Sequence, residues 1–267
     1  MTYTDYLSKV EPIWCKGCGN FGILKATCLA LSNLEIPPHK IGIVSGIGCS
    51  SRMPGYLSTY GINSLHGRAI PIATGLKLAR PDLTVLVAGG DGDLFSIGAG
   101  HLPHVTRRKF QEKPIDITCI MFDNHVYALT KGQTSPTTFS DQKTKTTDFS
   151  SPVDPLLDML SFMHSSESGF LAQGIATDPS HLTKLIEEAI KYKGFSFINV
   201  QTPCPTHNSE EWLKILKEKR IYVEAGKEVY LPDGERWIHD PQDWELACKI
   251  LKTPMNQGIH LGIIYKK

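Results

Sequence analysis

TVLVAGGDGD (Thr84–Asp93) and DITCIMFDNHVYALTKGQ (Asp116–Gln133) are the two stretches on which the fold turns. Each begins as a near-continuous apolar run of strand length and breaks at glycine, aspartate or asparagine. Such runs suit strands buried on both faces of a parallel sheet, because neither face has to meet water. Roughly thirty residues separate the two breaks, the length of one strand–helix–strand unit. IGIVSGI (Ile41–Ile47) and FSFINVQTP (Phe195–Pro203) end in the same way. Helical text lies between the strands. Leu182, Leu185, Ile186, Ala189 and Ile190 keep a helical period behind Asp178 and Pro179, an N-cap followed by proline in the first turn. Gly22–Glu35 and Gly67–Arg80 also read as helices, with Pro71 marking a start or a bend. The alternation predicts an α/β fold, a doubly wound and mostly parallel sheet with helices on both faces. Ligands of such sheets sit at the carboxyl ends of the strands.

The 267 residues carry 28 basic and 27 acidic side chains, a formal charge of +1. That balance offers no general attraction to nucleic acid or to an anionic membrane surface. No apolar run is long enough to span a bilayer, and the N-terminus has no signal pattern, so a cytoplasmic protein is expected. Seven cysteines without a secretory signal argue for reduced thiols that bind metal or do redox chemistry. Thr134–Pro155, rich in Ser, Thr, Pro and charge, is expected as a long surface loop. Residues 1–205 are expected to form the α/β domain. Residues 206–267 are expected as a C-terminal extension packed on that domain or on a partner, opening with a helix capped by Asn208 or Ser209.

The strand ends carry the chemistry. Gly90 and Gly92 let an anion approach the backbone, Asp91 offers a hard oxygen, and Asn124 adds a neutral one. With phosphate and water oxygens, such groups build the octahedral Mg²⁺ site that holds a diphosphate. Gly-Asp-Gly alone can be a plain tight turn; its pairing with a second strand end bearing Asp-Asn is the specific feature.

These residues resemble the thiamine-diphosphate enzymes, and more closely the β subunits of the 2-oxoacid:ferredoxin oxidoreductases. WCKGCGNFGIL (Trp14–Leu24), GIGCSSR (Gly46–Arg52), LHGRAIPIATGLKLA (Leu65–Ala79), GGDGDLFSIGAGHLPHVTRR (Gly89–Arg108), LTKGQTSPTT (Leu129–Thr138) and Cys204–Pro205 all match that pattern, in order. The resemblance implies thiamine diphosphate, with Mg²⁺ held by Asp91, Asn124 and the Val126 carbonyl. Ile47, Gly48, Cys49, Ser50, Gly92, Asp93, Ala128 and Leu129 would surround the cofactor. His66 would stand near the thiamine, unless it is a hydrogen-bonded structural histidine. His125 occupies a position where many thiamine enzymes have a second asparagine.

The resemblance also implies that Cys15, Cys18, Cys49 and Cys204 ligate one 4Fe–4S cluster; four cysteines alone would equally suit a structural zinc. Cys28, Cys119 and Cys248 have apolar neighbours and are expected to be structural. The implied reaction converts a 2-oxoacid and coenzyme A into acyl-CoA and CO₂, reversibly, with electrons passed to ferredoxin. The activating glutamate is expected from an α subunit in an αβ or α₂β₂ assembly, since no glutamate of this chain lies in the strand-end motifs. The wording LTKGQ resembles members that use 2-oxoglutarate, for which Arg52, Leu129 and Lys131 are candidate substrate contacts. Arg52 and Lys131 could equally be surface or phosphate contacts. The other readings are pyruvate or a broad range of 2-oxoacids as substrate, a non-redox thiamine decarboxylase or synthase, and a zinc-stabilised binding protein.

Overall fold

The computed structural model describes residues 1–139, 156–231 and 233–267. In chain order the elements are α1 (Asn20–Asn33), β1 (Ile41–Ser45), β2 (Tyr60–Asn63), α2 (Ala69–Ala79), β3 (Thr84–Gly90) and α3 (Leu102–Arg107). A small hairpin, β4 (Lys109–Phe110) and β5 (Lys113–Pro114), precedes β6 (Ile117–Asp123), α4 (Met159–Ser165), β7 (Phe170–Ile175), α5 (Pro179–Lys191) and β8 (Phe195–Gln201). The chain closes with α6 (Glu210–Glu218), β9 (Arg220–Tyr222), a second hairpin of β10 (Glu228–Tyr230) and β11 (Arg236–Ile238), α7 (Trp244–Leu251) and β12 (Ile259–Lys266).

Among the described residues, eight strands form one sheet in the order β2-β1-β3-β6-β8-β7-β12-β9. From β2 to β7 every pairing is parallel; β12 runs antiparallel to β7 and parallel to β9. The expected doubly wound, mostly parallel α/β sheet is what forms. Its central strands show why they read as continuous apolar runs. In β3, Leu86 and Ala88 pack beneath α1 and α5, while Val85 and Val87 join α2 and α3 on the opposite face. β6 divides likewise, with Ile120 and Phe122 on one side and Cys119 and Met121 on the other. Each large side chain so buried contributes about 1.5–3 kcal/mol. No helix among the described residues is long and apolar enough to cross a membrane.

Three features go beyond the sequence reading. β7 was not anticipated, yet all six of its residues are buried. Residues 206–267 do more than pack on the sheet: β12 and β9 extend it, and Val229, Leu246, Ile250 and Ile264 form a small core of their own. The helix at their start is capped by Ser209, whose side chain accepts a hydrogen bond from the Trp212 amide. Of the expected surface loop Thr134–Pro155, residues 140–155 lie outside the described residues. Its opening is not a surface segment, since Ser135, Thr137 and Thr138 are buried beneath the strand ends.

Candidate functional site

A cleft of about 210 Å³ lies at the carboxyl ends of β1, β3 and β6. The turn after β1 contributes Ile47, Gly48, Cys49 and Ser50. The turn after β3 contributes Asp91, Gly92 and Asp93, and the turn after β6 contributes Asn124, Val126, Ala128 and Leu129; His66 closes one side. The turn after β3 runs directly into a π-helical turn, Asp93–Ile97, a local irregularity of the kind that recurs at functional sites. The turn after β6 passes through a left-handed residue, His125 at φ 59°. Bare Gly92 also makes room for the protein itself: a Cβ there would lie 2.2 Å from the Tyr127 ring.

Asp91 is clamped from behind. Its Oδ2 accepts hydrogen bonds from Ser135 Oγ (2.5 Å) and Thr137 Oγ1 (2.7 Å), and Oδ1 receives neither. Burial, followed by the nearby charge of Asp123, lifts the Asp91 carboxyl to about 6. Coordination to a cation would relieve that cost by supplying the opposite charge. Asn124 Oδ1 accepts from the Val126 amide (3.1 Å), and Asn208 Nδ2 holds the Asn124 carbonyl (2.9 Å). His125 does not reach the cleft. Its Nδ1 meets the Thr137 carbonyl (2.7 Å) and its Nε2 meets Gln201 Oε1 (2.9 Å), within a network that also holds Asp123.

Among the described residues, three buried polar atoms of cleft-lining side chains have no protein partner: Asn20 Nδ2, Ser50 Oγ and Asp93 Oδ2. A buried polar atom without a partner costs about 1–3 kcal/mol, so a site that retains three of them is shaped for a polar ligand. Asn20 was missed in the sequence because it stands inside the cysteine motif CKGCGN, where the thiols drew the attention. Tyr127 and Thr130 also line the cleft unanticipated. Arg52 and Lys131 are both exposed and do not line it.

Cys15, Cys18, Cys49 and Cys204 come together beside the cleft. Burial, together with the nearby Cys204, Cys49 and Cys15, pushes the Cys18 thiol up to about 11. The backbone holds this group in place. The Cys18 amide bonds the Cys15 carbonyl (3.0 Å), Gly19 bonds the Pro203 carbonyl (3.1 Å), and Trp14 Nε1 donates to the Cys49 carbonyl (2.7 Å). Among the described residues, no three His, Cys, Asp or Glu are gathered tightly enough for a single metal ion. Cys28 and Cys119 are fully buried in the cores, whereas Cys248 is half-buried with its Sγ 3.6 Å from His164 Nδ1.

Residues 46–200 match the family described as thiamine pyrophosphate enzyme, C-terminal TPP binding domain. The 2-oxoacid:ferredoxin oxidoreductase subunit beta of Saccharolobus solfataricus is 44% identical over 265 residues, covering 95% of this chain and 81% of that one. The 2-oxoglutarate synthase subunit KorB of Methanocaldococcus jannaschii is 38% identical over 229 residues, 83% of either chain. A solved 2-oxoglutarate:ferredoxin oxidoreductase from Magnetococcus marinus, with 2-oxoglutarate, coenzyme A and succinyl-CoA bound, superposes with a TM-score of 0.89 at 37% identity. It covers 100% of this chain and 85% of that one.

Proposed function

This chain belongs to the β subunits of the 2-oxoacid:ferredoxin oxidoreductases, and on that footing we propose that it serves the oxidative decarboxylation of 2-oxoglutarate to succinyl-CoA. The observation that carries the reading is the double position of Cys49, which lines the cleft and also belongs to the cysteine group. A cofactor site and an electron acceptor that share a residue are in the arrangement a redox decarboxylase needs.

The residues fit the implied groups. Asp91, Asn124 and the Val126 carbonyl would hold Mg²⁺, a hard cation that takes oxygen ligands and keeps phosphate oxygens in its shell. Asn20 Nδ2 and Ser50 Oγ would satisfy themselves on the cofactor. Bound thiamine diphosphate supplies a nucleophilic carbon and the electron sink for loss of CO₂. Cys15, Cys18, Cys49 and Cys204 would hold a 4Fe–4S cluster, which accepts electrons singly. No glutamate lines the cleft among the described residues, so the activating carboxylate is assigned to an α subunit, and the chain alone is inactive.

The substrate assignment is supported by the 2-oxoglutarate named for the KorB relative and the Magnetococcus marinus structure. Leu129 at the mouth, 45% exposed, would meet the substrate chain. Arg52 and Lys131 would reach its distal carboxylate only if the α subunit turns them inward. The test is anaerobic co-expression with the α subunit, followed by iron and sulfide analysis and by ferredoxin reduction with 2-oxoglutarate or pyruvate. About four iron and four sulfide per chain, with faster reduction by 2-oxoglutarate, is the expected result. Zinc without sulfide removes the redox reading, and a preference for pyruvate moves the substrate within the family.

A further inference from the structure

The reaction just proposed leaves one proton without a home. A 2-oxoacid anion and coenzyme A become acyl-CoA and CO₂, two ferredoxins are reduced, and the thiol proton is released. Its S–H bond breaks while the electron pair stays on sulfur to form the thioester bond. A basic atom in the cleft would take that proton as the thioester bond forms.

Most titratable side chains of the cleft are engaged. Asp91 is clamped by Ser135 and Thr137, Cys49 belongs to the cysteine group, and the Tyr127 hydroxyl donates to the Gly92 carbonyl (3.2 Å). His66 differs. Its Nδ1 lies 2.7 Å from Asp93 Oδ1, and its side chain keeps 36% of its surface exposed. The same Asp93 oxygen accepts from the Ile47 amide (3.1 Å) and the Gly67 amide (2.8 Å). An oxygen that collects two backbone N–H groups is a carboxylate acceptor, so His66 donates to it through Nδ1–H. That tautomer leaves the Nε2 lone pair open.

The backbone is shaped around this pair. A Cβ on Gly46 would fall 2.0 Å from Asp93 Oδ2, and Gly67 presents its amide from a left-handed conformation, φ 70°. The edge of Tyr127, with ring centroids 6.1 Å apart, borders the imidazole. Asp93 is 2% exposed, and its Oδ1, held by two backbone amides, is a fixed anchor for the histidine.

We propose that His66 Nε2 accepts the coenzyme A thiol proton and passes it to water, and that Asp93 is the positioning residue that fixes its tautomer and orientation. This rests on the oxidoreductase reading of the cleft. The αβ holoenzyme separates the two steps: single-turnover reduction of an electron acceptor by 2-oxoglutarate without coenzyme A, and steady turnover with it. In His66→Ala the coenzyme A-dependent rate should fall on the order of 100-fold, at least about tenfold more than the coenzyme A-independent step. Free imidazole should restore turnover about tenfold or more, as a proton acceptor does and a packing side chain does not. Asp93→Asn should lower kcat about tenfold with KM for coenzyme A unchanged.

A readout without turnover is carbethoxylation of the peptide bearing His66, measured by mass spectrometry. It should mark the open Nε2 and be slowed about fivefold or more by coenzyme A. A His66→Ala holoenzyme equally slow in both steps, or indifferent to imidazole, overturns the inference. A wild-type complex that reduces no acceptor with any 2-oxoacid overturns the parent reading and the inference with it. A working wild type with an unaffected His66 variant overturns the inference alone.

Discussion

His260 in β12 is 2% exposed, its Nε2 has no partner, and burial pulls its imidazole down to about 4. The unfolded chain binds that proton near its ordinary value of about 6.5. Between these two values the unfolded state holds more protons, so stability rises with pH through this window. The contribution is complete above about 6.5, is lost as the pH falls toward 4, and amounts to about 3 kcal/mol at most. Urea titrations at pH 7 and pH 5 should show a smaller acid loss in His260→Gln than in the wild type. An identical loss in both would assign the acid sensitivity to other groups.

Among the elements, α5 is the best defined by its own text. Proline opens it, Asp178 caps it by accepting from the His181 amide (3.1 Å), and Leu182, Leu185, Ile186 and Ala189 bury one face. The same carboxylate receives the Tyr222 hydroxyl of β9 (2.8 Å), so one side chain joins the helix to the C-terminal part of the sheet. Asp178→Ala should cost about 1–2 kcal/mol, the upper part of the range for a lost N-cap, because the tyrosine contact goes too. Asp178→Asn, which still caps, should recover most of it; chemical denaturation of the two variants measures both.

At the scale of the whole molecule, β12 lies between β7 and β9. Deleting residues from 259 onward would strip β7 of a partner and open a fully buried strand as an edge. Unprotected apolar edges pair with other chains. The shortened protein is expected in the insoluble fraction, or as large species in size-exclusion chromatography. A monodisperse truncated chain would mean that the sheet ends at β7 without loss.

The strands that carry the cleft were legible in the sequence because both of their faces are apolar and glycine or a polar turn residue ends them. β7 was not, since FLAQGI holds a glutamine and a glycine at its centre. Gln173 is satisfied only by distant partners, donating to the His260 carbonyl (2.9 Å) and accepting from Asn199 (3.1 Å). Gly174 makes room for Leu182 of α5. The burial of Ser135 and Thr137 escaped for the same reason, because hydroxyls read as solvent-facing until Asp91 is seen to accept from them. The apolar runs sufficed for the sheet, and the motifs between Trp14 and Pro205 for the family, since both are written in local stretches of sequence. The pairing of His66 with Asp93, the double place of Cys49 and the strand at the sheet's far edge depend on contacts between residues remote in the chain. Only the folded structure brings these together, because the burial and hydrogen bonding that decide them do not exist in any local segment.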